Sequence, residues 1–246
     1  MSTPAANKGF APLDCVHGNV RLRGQLLRPA GEGTRATVLM FPGATGPGDS
    51  FRKAMHELAD AGYVVAGLDM YGADADISTP AAAGKHYMAL LGNPATLRER
   101  AVHWLDTVRA LPGVDSRRIA AIGYCFGGRC VLELARSGAD LQAVISYHGL
   151  LATHAPAGPG KVRARIAVWS GGQDPYVSVA ELDALRSELD NARANYQITL
   201  FSAAQHAFMD SDHDGLADGI AYDRVAHRIA WMGTLALLDE IIGEKL

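Results

Sequence analysis

One segment constrains this chain more than any other. The apolar run Ile119–Ile122 passes through Gly123-Tyr124 into Cys125, and Phe126-Gly127-Gly128 opens a stretch of helical period. A strand running directly into a helix, with small residues two before and two after a nucleophilic side chain, is the G-x-nucleophile-x-G turn. A Cβ at either flank would collide with the neighbouring strand or helix, and the residue at the tip is forced into a strained backbone. The turn lifts Cys125 above the sheet edge. The helix beginning at Phe126 then aims its free N–H groups and positive dipole end at the sulfur, favouring thiolate over thiol, and the N–H of Phe126 can hold an oxyanion. Free cysteines are often inert core residues, and that reading suits Cys15, before a strand, and Cys130, inside the helix. At Cys125 the glycine spacing argues against it. A dinucleotide-binding turn is the weaker rival, because G-x-G-x-x-G needs its second glycine where Cys125 or Phe126 stands.

Around this turn, short Val/Ile/Leu-rich runs alternate with longer segments of helical period, the pattern of a mostly parallel sheet covered by helices on both faces. Strands are predicted at Ala36–Phe41, Tyr63–Leu68, Ile119–Ile122, Ala143–Tyr147, Arg165–Trp169 and Gln197–Phe201, with Val16–Leu27 as an antiparallel edge pair. Helices are predicted at Ser50–Ala61, Pro94–Ala110, Phe126–Arg136, Val179–Asn191 and Gly219–Ile242. The Pro- and Gly-containing tract Gly149–Lys161 reads as a surface connection beside the site. The expected fold is α/β, an α/β-hydrolase three-layer sandwich. With 246 residues, 48% of them hydrophobic, one large core is within reach, so residues 1–246 are expected to form a single domain.

Charge and composition narrow the partners. With 23 basic against 26 acidic residues the net charge is −3, leaving no basic field for nucleic acid or an anionic membrane surface. The first thirty residues hold no apolar core of a signal peptide, and no run of eighteen apolar residues could span a bilayer. A cytoplasmic location is expected. Three cysteines do not make a disulfide framework and lack zinc-site spacing, so reduced thiols, no metal and no cofactor are expected. The partner is a small molecule, and the assembly a monomer or homodimer.

A nucleophile on such an elbow needs a base and an orienting acid on loops at the carboxyl ends of later strands, acid first. Asp174 follows Arg165–Trp169 through Ser170-Gly-Gly-Gln, and His206 follows Gln197–Phe201 through Ser202-Ala-Ala-Gln. The imidazole moves the proton between thiol and leaving oxygen, while the carboxylate fixes its tautomer and stabilises its charged form. His213 is the alternative base. Asp69, ending Tyr63–Leu68, is the substitute acid, but it lies before the nucleophile and is expected to satisfy backbone groups in its own turn instead.

These residues resemble a known group. GYCFGG at Gly123–Gly128, GGQDPYV at Gly171–Val177, QHAF at Gln205–Phe208 and Asp69-Met70-Tyr71 after Tyr63–Leu68 are similar to motifs of the dienelactone hydrolase family, from about Ala36 to the C-terminus. The resemblance implies Cys125 as nucleophile, Asp174 and His206 as partners, and an oxyanion hole formed by the N–H groups of Phe126 and Ala44. Gly43, Tyr124, His148 and Phe208, beside these positions, are expected to line the substrate pocket. This chain departs from the family's best-studied members in three places. Gly43 aligns with a glutamate that helps deprotonate the thiol, and Ala73 and Asp210 align with arginines that hold a substrate carboxylate.

The acidic run Asp210–Asp218 mimics the first half of a calcium loop, but Ala221 stands where the bidentate glutamate belongs. A solvated acidic rim is the expectation. The function expected is cysteine-dependent hydrolysis of an ester or lactone, of carboxymethylenebutenolidase type, through a thioester and on a neutral substrate. The alternatives are a broad carboxylesterase or thioesterase, and a silent binding module that keeps the fold.

Overall fold

The computed structural model describes residues 9–244. The parts of the domain and leader expectations that fall on residues 1–8, 245 and 246 lie outside them. An eight-stranded sheet runs in the order β1-β2-β4-β3-β5-β6-β7-β8. The strands are β1 (Ala11–His17), β2 (Val20–Leu27), β3 (Arg35–Phe41), β4 (Val64–Gly67), β5 (Val114–Tyr124), β6 (Ala143–Tyr147), β7 (Arg165–Gly171) and β8 (Tyr196–Phe201). From β4 through β8 every pairing is parallel, while β1 and β2 form an antiparallel hairpin joined antiparallel to β4.

Alternation along the central strands builds two cores. Leu39 and Phe41 of β3, with Ile119 and Ala121 of β5, meet α3 (Pro94–Arg109), α4 (Phe126–Ser137) and α5 (Val179–Asn191) on one face. Val38, Met40, Ala120 and Ile122 point the other way, onto α1 (Asp49–Asp60) and α6 (Arg224–Ile242). Period-two strands with apolar residues on both sides demand cover on both faces, and the crossover helices supply it.

The structure differs from the sequence expectation at several ends. The edge hairpin begins at Ala11, not Val16, since residues 11–15 pair with Leu22–Leu26. β5 begins at Val114 because it first runs beside Arg35 before a register break. Helix α2 (Pro80–Leu91) was not expected. It buries only Ala83 and Leu90, too little for a readable apolar stripe, although Thr79 caps it with Pro80 at the first position. Helix α6 starts at Arg224 rather than Gly219, because Asp223 accepts from the N–H groups of Val225 and Ala226, and residues 219–221 bond His206 instead.

Candidate active site

The parallel strands end together on one edge, and the loops leaving them hold the polar residues. Cys125 sits between β5 and α4 at φ 52°, as the N-cap of the helix. The turn closes only without side chains at its flanks. A Cβ on Gly123 would lie 2.0 Å from the Gly127 carbonyl oxygen, and one on Gly127 would lie 2.0 Å from that of Phe41.

Two later loops meet Cys125. The Nδ1 of His206 lies 2.8 Å from Oδ2 of Asp174, and both side chains are buried. The other carboxylate oxygen, Oδ1, accepts the Tyr176 N–H at 2.8 Å, and the Tyr176 ring lies edge-on to the imidazole at 4.7 Å. A backbone bridge clamps His206, its N–H donating to Gly219 O and its carbonyl accepting from Ala221 N–H. With Nδ1 engaged, Nε2 is left for the hydrogen bond to Cys125. Burial disfavours the imidazolium, yet the hydrogen bonds to Asp174 and Cys125 outweigh it and raise the pKa to about 10. By contrast, burial pushes the thiols of Cys15 and Cys130 up, which suits packing residues.

A cavity of about 210 Å³ opens over the sulfur. Gly43, Ala44, Tyr124 and His148 line it with Cys125 and His206. A Cβ at Gly43 would stand 3.7 Å from that of Cys125, so this position faces the nucleophile. The carbonyl of Ala44 accepts the Tyr71 hydroxyl at 2.8 Å, which fixes its peptide. Phe126 lies beneath, buried and stacked on Tyr71. The placement of Phe208 corrects the pocket expectation. It is fully buried, with its ring 5.4 Å from His148, because the turn at Ala207 (φ 59°) sends the next side chain inward, and it supports the wall rather than lining it. Asp69 accepts the N–H groups of Tyr71 and Gly72, as expected.

Sequence reasoning missed part of the lining. Tyr87, Leu150, Tyr176, Leu216 and Ile220 form an apolar wall, gathered from separate loops with no shared spacing. His213, the alternative base, lines the same cavity, but its Nδ1 is paired with Asp210 at 2.7 Å and its Nε2 lies 2.9 Å from the Thr45 hydroxyl. That hydrogen bond to Asp210 raises the His213 pKa against burial. Asp212 accepts the Ser50 N–H and Asp214 the Tyr222 N–H, so these carboxylates serve the loop itself. On the far side of Gly43 lies a second cavity of about 270 Å³ that includes Ala73 and Arg23 but none of Cys125, His206 or Asp174.

Residues 22–242 match the model of the dienelactone hydrolase family. The structure resembles that of a dienelactone hydrolase-like promiscuous phosphotriesterase from metagenomic libraries, with 31% identity, TM-score 0.86, and 96% of this chain and 99% of that one covered. It is also similar to the solved structure m3DLH, with 33% identity, TM-score 0.87, and 95% and 98% covered. In sequence it is 27% identical to a Bradyrhizobium sp protein named as a probable 2-oxo-3-(5-oxofuran-2-ylidene)propanoate lactonase, over 91% of this chain and 90% of the relative.

Proposed function

Because the chain belongs to the dienelactone hydrolase family, we propose that this hydrolase cleaves esters or lactones with Cys125 as nucleophile, His206 as acid and base, and Asp174 as the orienting carboxylate. The observation that carries the reading is the imidazole of His206, hydrogen-bonded on one side to buried Asp174 and on the other to the cysteine of a strained elbow.

The chemistry follows from that arrangement. The Sγ of Cys125 bonds to the carbonyl carbon, and the oxyanion takes the N–H groups of Phe126 and Ala44. The Nε2 proton of His206 passes to the leaving oxygen as the C–O bond breaks, leaving a thioester. Gly43 offers no carboxylate, so the thiol proton falls to His206 alone. Once the sulfur is acylated, one of the partners that held the imidazole protonated is gone. Neutral His206 then takes a proton from water as its oxygen attacks the thioester, and returns it to the departing sulfur.

The apolar wall suits an alkyl or aryl substituent. No arginine or lysine is among the described residues lining the cavity over Cys125, which favours a neutral substrate. A panel of a lactone, an aryl ester, an acyl thioester and a phosphotriester, the last two probing broader reactivity, would rank the classes by kcat/KM. Cys125→Ala should abolish turnover, while Cys15→Ala and Cys130→Ala should stay within a few fold. Normal activity in Cys125→Ala would overturn the nucleophile assignment. Absence of both turnover and acyl adduct across the panel would favour a silent binding module.

A further inference from the structure

His148 follows β6 and is 1% exposed, yet it lines the cavity over Cys125. Neither of its ring nitrogens makes a hydrogen bond to another described residue. Leaving a buried imidazole unpaired is costly, and native proteins keep such groups where an ordered water or a reacting group completes them. Its backbone is strained as well. Among the described residues, Cys125, His148, Arg193 and Ala207 hold positive φ without being glycine, and all but Arg193 line this cavity. Strain of that kind persists where the fold requires a side chain in one place.

The surroundings limit what His148 can meet. Its ring packs edge-on to His206 at 5.0 Å and to Phe208 at 5.4 Å, with Tyr124 at 6.2 Å. In that setting burial holds the ring neutral, with one nitrogen donating and the other accepting. An ordered water needs at least two polar partners, and the unpaired His148 ring, 5.0 Å from that of the proposed base, supplies one beside it. We propose that His148 holds the hydrolytic water beside His206 and so acts in deacylation rather than in attack on the substrate.

This inference rests on the thioester reading above. The water oxygen bonds to the thioester carbon while His206 Nε2 takes its proton. The C–S bond then breaks, the proton returns to Sγ, and the carboxylic acid leaves. His148 neither gains nor loses a proton in the sequence. It fixes the water's position and lone-pair direction.

The test uses the whole protein with p-nitrophenyl acetate. Stopped-flow release of p-nitrophenolate reads acylation, and acid-quenched intact mass reads the fraction of enzyme carrying acetyl on Cys125 during turnover. His148→Phe keeps a ring and removes both nitrogens. His148→Asn restores a donor and an acceptor in a residue that tolerates positive φ. In His148→Phe, acylation should stay within about threefold of wild type, turnover should fall roughly ten- to hundredfold, and the acylated fraction should rise toward one. His148→Asn should recover part of the loss. Equal slowing of acylation and turnover, or an unchanged acylated fraction, in both variants would overturn the proposal. Active wild type without acetyl on Cys125 would instead overturn the nucleophile assignment, which Cys125→Ala reports separately.

Discussion

Burial alone would strip the proton from His206, and its hydrogen bonds to Asp174 and Cys125 hold it in place up to about pH 10. Its protonated form therefore spans neutral pH, and the alkaline limb of kcat/KM should lie well above the pH at which a free histidine titrates. Asp174→Asn removes a raising partner, so the alkaline limb should move toward neutral; an unmoved limb would mean that another group sets it. His206→Ala should cost about a hundred- to ten-thousandfold in kcat, Asp174→Asn less, and His213→Ala little, since His213 is turned to Asp210 and Thr45. That second pair makes its own prediction. The folded pKa of His213 is raised, so its contribution to stability is full below about pH 6.5 and is lost as pH rises through the folded value. Asp210→Asn should lower Tm by about 2–4 °C at pH 5.5 and by less at pH 9. An equal loss at both pH values would show that the ion pair adds nothing.

At the scale of elements, α4 matters most, because its first turn carries the nucleophile. Beneath it Glu133 is fully buried between Arg98, at 2.7 Å, and Arg136, at 3.1 Å. Arg136 continues to Glu188 on α5 and to the carbonyl of Leu151, and Arg98 to that of Ala155. The network thus ties α3, α4 and α5 to the connection that brings Leu150 to the cavity. A buried network is weak evidence of net stabilisation, but removing one member strands the others. Glu133→Ala should cost about 3–5 kcal/mol in urea unfolding; a loss below about 1 kcal/mol would mean that water enters and compensates.

For the whole molecule, the distribution of charge bears on substrate choice. From sequence, Asp210, Asp212, Asp214 and Asp218 suggest a repulsive rim. In the fold Asp210 is offset by His213, while Asp212 and Asp214 bond backbone N–H groups. A preference for neutral substrates then depends less on repulsion than on the absence of arginine and lysine among the described residues lining the cavity, where the His206 ring is committed to Asp174 and Cys125 and the His213 ring to Asp210 and Thr45. Arg23 lines the neighbouring cavity with its guanidinium 3.5 Å from Asp14. A charge-assisted hydrogen bond contributes about 1.5–3 kcal/mol, so a carboxylated analogue should lose roughly ten- to hundredfold in kcat/KM against a matched neutral ester. A clear preference for the anion at low salt would show that a cation reaches the cavity in the complex. Among the described residues no helix is long and apolar enough to cross a membrane.

Local physics wrote much of this protein into its sequence. Apolar runs of strand length alternating with helical periods specify a parallel sheet with two covered faces, and glycines flanking Cys125 specify a turn that no Cβ can enter. The order of Asp174 and His206 after later strands was equally readable, because parallel strands deliver their carboxyl ends to one edge. Helix α2 escaped notice since it buries almost nothing, and the start of α6 depended on a cap competing with a bridge to His206. Tertiary structure alone decided that Phe208 turns inward, that His213 pairs with Asp210 and Thr45, and that an unpaired His148 stands beside His206. Those outcomes depend on which loops share space, and residues far apart in the chain leave no periodic mark of the contacts they make when folded.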